Sequence, residues 1–185
     1  IEPMLQVGND FYNWSNVSAT QSLKEKYLPI PKVEWNCGDL NFIVKAFANG
    51  EANKSSTLYL KYKITNNSSS VKDGKLFLMI RPFQVNPHYQ WLNDPGGVGK
   101  INSLNEKDGK IYVNDDKVLI PLEKYDLFGA VTFDEGNIVE LIKESKTLKN
   151  ESVLDDSKLA SGILEYNFNL KPGEEKIIYL AIPFY

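Results

Sequence analysis

The chain of 185 residues has one cysteine, Cys37, one histidine, His88, and one arginine, Arg81. A single cysteine excludes an intrachain disulfide and a metal cluster built from cysteines. A single histidine leaves no second imidazole for a zinc site, and we predict neither a metal nor a cofactor. His88 could act as a general acid or base, but a loop histidine without a catalytic role is the simpler interpretation.

Strong charge of one sign and long apolar runs are also missing. The net charge is −3 and the pI is near 5.3. Such a chain has no basic field for a phosphate backbone, so we predict no nucleic-acid partner. No run approaches the roughly 20 apolar residues of a membrane-spanning helix. Hydrophobic residues make up 42% of the chain, which is typical of a globular domain with a packed core.

Alternation of apolar and polar residues with a period of two is the clearest pattern. It covers residues 40–48 and 57–65 and predicts strands with one buried face. Residues 75–83 are almost continuously apolar, which predicts a central strand covered on both faces. Pro82 should end the pairing of that strand, because proline has no N–H to donate.

Turn residues predict two hairpins and the overall architecture. Asp115-Asp116 lies between strand patterns at 110–114 and 117–122. Lys171-Pro172-Gly173-Glu174 suits a type II turn between 162–170 and 176–183. Residues 137–146 fit a helix, with a strand as the alternative. About eight to ten short strands predict an all-β, two-sheet antiparallel sandwich with at most one or two short helices.

The whole chain is expected to be one domain, residues 1–185. Residues 1–30 lack clean periodicity and contain Pro29, which predicts an extended segment that wraps the sandwich. The chain begins at Ile1 without a methionine, as a domain excised from a larger protein would.

The segment 81–93 is the richest in groups that bind sugars. It contains a guanidinium, several amides and aromatic rings, and our candidates for a carbohydrate or domain interface are Arg81, Gln84, Asn86, His88, Tyr89, Trp91 and Asn93. Guanidinium and amide groups bind sugar hydroxyls, and aromatic faces pack on the C–H surface of a sugar. The alternative is that Arg81 pairs with a carboxylate and anchors a long loop on the sandwich.

Two acidic pairs, Asp134-Glu135 and Asp155-Asp156, are the obvious carboxylates to consider for catalysis. Glycoside hydrolysis needs two carboxylates on either side of a cleft. Adjacent residues of a strand point to opposite faces, so neither pair meets this requirement by itself. We interpret both pairs as turn or capping residues and predict no catalytic residue.

The three tryptophans offer a second possible sugar surface. If they were exposed on one side of the fold, Trp14, Trp35 and Trp91 could form a platform for a sugar. Large aromatic residues in a sandwich more often belong to the core.

The sequence contains the strings Thr20-Gln-Ser-Leu, Tyr27-Leu-Pro-Ile-Pro, Ala46-Phe-Ala, Arg81-Pro-Phe-Gln-Val-Asn-Pro, Phe128-Gly-Ala and Ser161-Gly-Ile-Leu-Glu-Tyr. Together these strings resemble a β-sandwich region of large bacterial proteins of the coagulation factor 5/8 type, or discoidin-domain type. They occur in order along nearly the whole chain, and the string that starts at Arg81 is the most specific. In that family the sandwich resembles a supersandwich, a galactose-mutarotase-like fold, beside an α/α toroid of carbohydrate-processing enzymes.

The resemblance implies an accessory domain of a secreted or periplasmic carbohydrate-active protein. Its partners would be the toroid of the same chain, which carries the catalytic carboxylates, and an oligo- or polysaccharide. The parent protein could be a glycoside hydrolase or a related enzyme, whereas this domain alone would not be catalytic. Two alternatives stay open: an independent carbohydrate-binding module, and a purely structural or adhesive domain.

Overall fold

The computed structural model describes residues 1–51, 54–83 and 99–184. Fourteen strands lie within these ranges. In chain order they are β1 (Glu2–Val7), β2 (Asp10–Tyr12), β3 (Ser18–Lys24), β4 (Leu28–Cys37), β5 (Leu40–Gly50), β6 (Ser56–Asn66), β7 (Lys72–Ile80), β8 (Ser103–Lys107), β9 (Lys110–Val113), β10 (Lys117–Pro121), β11 (Leu127–Val131), β12 (Ser152–Leu154), β13 (Ser161–Leu170) and β14 (Glu175–Phe184).

These strands form two antiparallel sheets. The smaller sheet has the order β11-β13-β7-β1-β2, and the larger has the order β12-β8-β9-β10-β14-β6-β5-β4-β3. The main hydrophobic core lies between the two sheets, with Phe42 and Tyr62 from the larger sheet and Leu78, Leu164 and Tyr166 from the smaller one. The predicted two-sheet β-sandwich is therefore confirmed.

Both faces of β7 are covered, as its continuous apolar run predicts. It lies between β1 and β13, and all five residues from Leu76 to Ile80 are buried. Its pairing ends at Ile80, just before Arg81 and Pro82. The last described residue of this stretch is Phe83.

The turn at residues 171–174 forms as predicted, but the hairpin predicted around it is wrong. The N–H of Glu174 donates to the carbonyl of Lys171 at 3.0 Å, and Gly173 has a φ of 77°. However, β13 pairs with β7 and β11, while β14 pairs with β6 and β10. The turn therefore carries the chain from one sheet to the other. The hairpin predicted around Asp115 is confirmed, with β9 and β10 paired.

Two short helices follow β11 among the described residues. A 3₁₀ helix spans Phe133–Glu135, and α1 spans Ile138–Lys143. The side chain of Asn137 caps α1 by accepting a hydrogen bond from the N–H of Val139 at 2.9 Å. The helical alternative for this segment is therefore the correct one. The helix packs on the outer face of the smaller sheet, where a second apolar cluster contains Met4, Phe77, Met79, Ile138, Leu141, Ile142 and Ile163.

The first thirty residues supply strands to both sheets. β1 lies inside the smaller sheet, and its Met4 and Leu5 are fully buried. β3 forms an edge of the larger sheet. Period-two alternation does not mark β1, because Met4 contacts the cluster beneath α1 while Leu5 contacts the main core.

Candidate functional site

Arg81 is the predicted site residue that the structure describes, and it is held by an ion pair. Its Nε donates to Oε2 of Glu2 at 2.6 Å, and its Nη2 contacts the same oxygen. Glu2 begins β1, so the pair joins the start of that strand to the end of β7. Both side chains are partly buried, with 30% of Arg81 and 15% of Glu2 exposed. This is the anchoring pair of the alternative interpretation, and it leaves the predicted sugar contact untested.

A groove of about 470 Å³ lies beside Arg81. Its lining includes Arg81, Pro82, Phe133, Asn137, Leu159 and Ser161. Phe133 is 57% exposed, which is high for a large apolar side chain. We call this surface the Arg81 groove; it combines a guanidinium, an amide and a hydroxyl with an exposed aromatic ring.

Asp155 fixes two parts of the groove lining. Its carboxylate is buried and accepts the N–H of Phe133 at 3.1 Å and the N–H of Leu159 at 3.1 Å. The N–H of Ser157 donates to the other oxygen at 3.0 Å. A buried carboxylate needs such donors, and three backbone N–H groups supply them. Asp155 therefore positions the segment of Phe133 relative to the segment of Leu159.

Glu135 has a similar structural function on the first of these segments. Its carboxylate accepts the N–H of Thr132 at 2.8 Å and the hydroxyl of Thr132 at 3.0 Å. Asn150 also donates to it, at 3.3 Å. The interpretation of both acidic pairs as turn and capping residues agrees with these contacts.

The other predicted site residues are Gln84, Asn86, His88, Tyr89, Trp91 and Asn93, and all lie outside the described residues. Their assignment to a carbohydrate or domain interface stays a prediction. Sequence reasoning missed Phe133, Asn137 and Ser161 as lining residues. Nothing local marks them; Ser161 reaches the groove because its neighbour Gly162 pairs with Ile80, next to Arg81.

The tryptophans do not form one exposed platform in the part of the chain that is described. Trp35 is fully buried, as the core interpretation predicts. Trp14 is 46% exposed and packs edge-on against Trp35, with ring centroids 4.8 Å apart. Trp91 lies outside the described residues.

The described lining of the Arg81 groove can bind a neutral polar ligand through hydrogen bonds and apolar contact. No aspartate or glutamate belongs to that lining. Across the described ranges, no three His, Cys, Asp or Glu side chains come together as a metal site would require. In those same ranges, none of the helices has the length and apolar character needed to cross a membrane.

Comparisons with known proteins show a similarity of fold to a solved structure. No protein-family model matches the sequence, and no curated protein matches it. Among solved structures, a putative kojibiose phosphorylase from the human microbiome has a similar fold, with 9% sequence identity and a TM-score of 0.50. The similarity covers 98% of this chain and 21% of that chain. This chain thus spans about a fifth of the length of the structure that it resembles.

Proposed function

We propose that this chain is a non-catalytic accessory β-sandwich domain of a larger carbohydrate-active protein. The observation that carries the proposal is the extent of the structural similarity. It includes 98% of this chain but only 21% of a putative kojibiose phosphorylase, as expected if the sandwich is one domain of a bigger enzyme. In this proposal the domain is a supersandwich that packs on a catalytic α/α toroid of the same protein. Export from the cytoplasm belongs to the proposal and rests on the sequence resemblance.

The Arg81 groove supports a position for this domain at the edge of a sugar cleft. An exposed aromatic ring beside amide, hydroxyl and guanidinium groups suits a sugar, which presents both C–H surface and hydroxyls. Phe133 and Asn137 supply the ring and the amide, and Asp155 holds Phe133 in place. Because the described lining has no carboxylate, we assign the reaction to the neighbouring domain.

The size of the native protein is the first test. An antibody raised against this chain should detect a polypeptide much larger than 21.0 kDa in cells that make it. The purified native protein should cleave α-linked disaccharides by hydrolysis or phosphorolysis, while this chain alone should leave them intact. A native polypeptide of the same size as this chain, or turnover by this chain alone, would refute the proposal.

Contact with the sugar cleft is tested by Phe133→Ala in the full-length protein. We expect a several-fold rise in KM with little change in thermal stability, because an exposed ring is lost from the binding surface. Phe184→Ala is the matched control, since Phe184 is similarly exposed, at 51%, but lies at the end of β14. An unchanged KM in the Phe133→Ala variant would show that this domain does not contact the sugar cleft through Phe133.

An independent carbohydrate-binding module is the second candidate, and the exposure of Phe133 favours it. This module would bind oligosaccharides as the isolated chain, and Phe133→Ala would abolish that binding. Titration calorimetry with a panel of neutral oligosaccharides distinguishes the two. Binding by the isolated chain supports the module, and its absence supports the accessory domain.

A further inference from the structure

Three lysines lie in one row on the outer face of the larger sheet. Lys32 of β4 is directly opposite Lys45 of β5, and Lys45 is directly opposite Lys61 of β6. Neighbouring strands are roughly 4.8 Å apart, so the three side chains leave the sheet side by side. The residues next to two of them, Val44 and Tyr62, belong to the core, which places the lysines on the solvent side.

This arrangement has an electrostatic cost. Like charges directly opposite each other on paired strands destabilise a sheet. Lys32 is compensated by Glu34, whose Oε2 is 2.8 Å from its Nζ. In the described residues, no carboxylate lies within 4.0 Å of the ammonium group of Lys45 or Lys61. The two adjacent charges therefore favour an anion from outside the domain.

Aromatic rings border the lysine row on the same face. Phe47 and Tyr59 are opposite each other, two residues along their strands from Lys45 and Lys61, and their rings stack with centroids 5.2 Å apart. The ammonium of Lys61 lies 5.4 Å from the ring centroid of Tyr179. The row is therefore bordered by partly exposed rings that offer apolar contact.

A polar groove of about 370 Å³ adjoins the other side of the row. Its lining includes the hydroxyls of Ser18 and Thr20 and the amides of Asn36, Asn41 and Asn67. Glu34 joins the groove to the row, because it also lines the groove and contacts both Lys32 and Asn41. These hydroxyl and amide groups can donate and accept hydrogen bonds with sugar hydroxyls.

We propose that this outer face, made by β4, β5 and β6 with Tyr179 of β14, binds an acidic polysaccharide. Carboxylate or sulfate groups of the ligand pair with Lys45 and Lys61, its C–H surface packs on Phe47 and Tyr59, and its hydroxyls enter the polar groove. The site goes beyond the proposed accessory function and is separate from the Arg81 groove. An experiment can therefore refute either proposal without refuting the other.

Titration calorimetry of this chain with four polymers tests the proposal. Polygalacturonate and chondroitin sulfate supply carboxylate and sulfate groups, dextran is the neutral sugar, and polyglutamate is the acidic peptide. We expect the two acidic glycans to bind in low salt and to weaken as salt is added, because the lysines are solvent-accessible. Dextran should not bind, and polyglutamate should bind at least about tenfold more weakly, because it lacks the sugar surface for the rings and the groove.

The double variant Lys45→Gln/Lys61→Gln should weaken binding of the acidic glycans about tenfold or more, because each lost lysine removes a charge-assisted contact. Its melting temperature should stay equal or rise, since the repulsion is removed. Lys107→Gln/Lys110→Gln is the matched control, because these two exposed lysines also face each other across paired strands, β8 and β9. Phe47→Ala should weaken glycan binding without changing its salt dependence.

Any of three results would overturn the proposal. The first is no binding of either acidic glycan, and the second is an equal loss of binding in the control variant. The third is binding of polyglutamate as tight as that of the glycans, which would identify a surface for acidic peptides instead. None of these results bears on the size or activity of the native protein, so the proposed function is tested separately.

Discussion

Replacement of Asn66 by alanine should weaken the link between the two sheets at one end of the sandwich. Asn66 is the last residue of β6, in the larger sheet, and it is completely buried. Its backbone N–H donates to the carbonyl of Glu174 at 3.0 Å, and its carbonyl accepts the N–H of Gly173 at 2.8 Å. These two bonds hold the turn that carries the chain from β13 to β14.

The side chain of Asn66 makes four further hydrogen bonds. Its Nδ2 donates to the carbonyls of Leu170 at 2.9 Å and Ser70 at 2.7 Å. Its Oδ1 accepts the N–H of Ser68 at 2.9 Å and the hydroxyl of Ser68 at 2.8 Å. Leu170 is the last residue of β13, so this amide links the smaller sheet to the larger one.

The expected cost of Asn66→Ala is about 3 kcal/mol. A buried group left without its partner costs roughly 1–3 kcal/mol, and the carbonyl of Leu170 is such a group. The bonds to residues 68 and 70 are closer to the surface, where water can replace the amide, and together they contribute about 1 kcal/mol. For a chain of this size, a loss of about 3 kcal/mol lowers the melting temperature by roughly 6–12 °C.

Urea unfolding followed by circular dichroism measures the change. The midpoint should fall while the slope stays constant, because the loss is in stability and the exposed surface does not change. Asn67→Ala is the control, since Asn67 is the exposed neighbour, and its effect should stay within about 0.5 kcal/mol. A loss below about 1 kcal/mol in the Asn66 variant, or an equal loss in the control, would refute the assignment of Asn66 as the link between the sheets.

Two more predictions concern buried groups. Asp155→Ala should cost about 3 kcal/mol in urea unfolding, because three backbone N–H groups lose a carboxylate; Asp156→Ala, at an exposed position, should change stability little, and equal effects would contradict the structure. Burial raises the pKa of Cys37 to about 12, so the native thiol should resist Ellman's reagent until the chain unfolds. Its contribution to stability is complete below the unfolded pKa of about 8.5 and declines by about 1.4 kcal/mol per pH unit above it. Cys37→Ala should remove this part of the pH dependence. If the free energy of unfolding of the variant still declined with pH as steeply as that of the native chain, the assignment to Cys37 would be wrong.

Local chemistry alone marked many of the strands and the shape of the turns, and it allowed a helix over residues 137–146 with a strand as the alternative. Apolar alternation marks β5 and β6 because side chains of a strand point to opposite faces in turn. A continuous apolar run marks β7 because both of its faces are covered. Asn137 marks the start of α1 because its side chain satisfies an N–H that the helix leaves without a partner.

Pairing across the chain was decided only by the tertiary structure. Pro172 and Gly173 produce the same local turn whether the strands on either side pair with each other or join different sheets. The choice depends on which partners bury Leu170 and Ile178, and those partners lie about 100 residues away in sequence. The predicted hairpin was wrong for this reason.

Both candidate sites depend on such distant pairings. Of the residues that line the Arg81 groove, the sequence pointed to Arg81 through its unusual neighbours, but its partner Glu2 is 79 residues away. Lys32, Lys45 and Lys61 look like ordinary surface lysines along the chain, and only the register of three strands brings them into one row. The sequence by itself determined which residues face out from alternating strands such as β5 and β6. The tertiary structure decided which of them meet, because meeting depends on strand order and register, which no local pattern encodes.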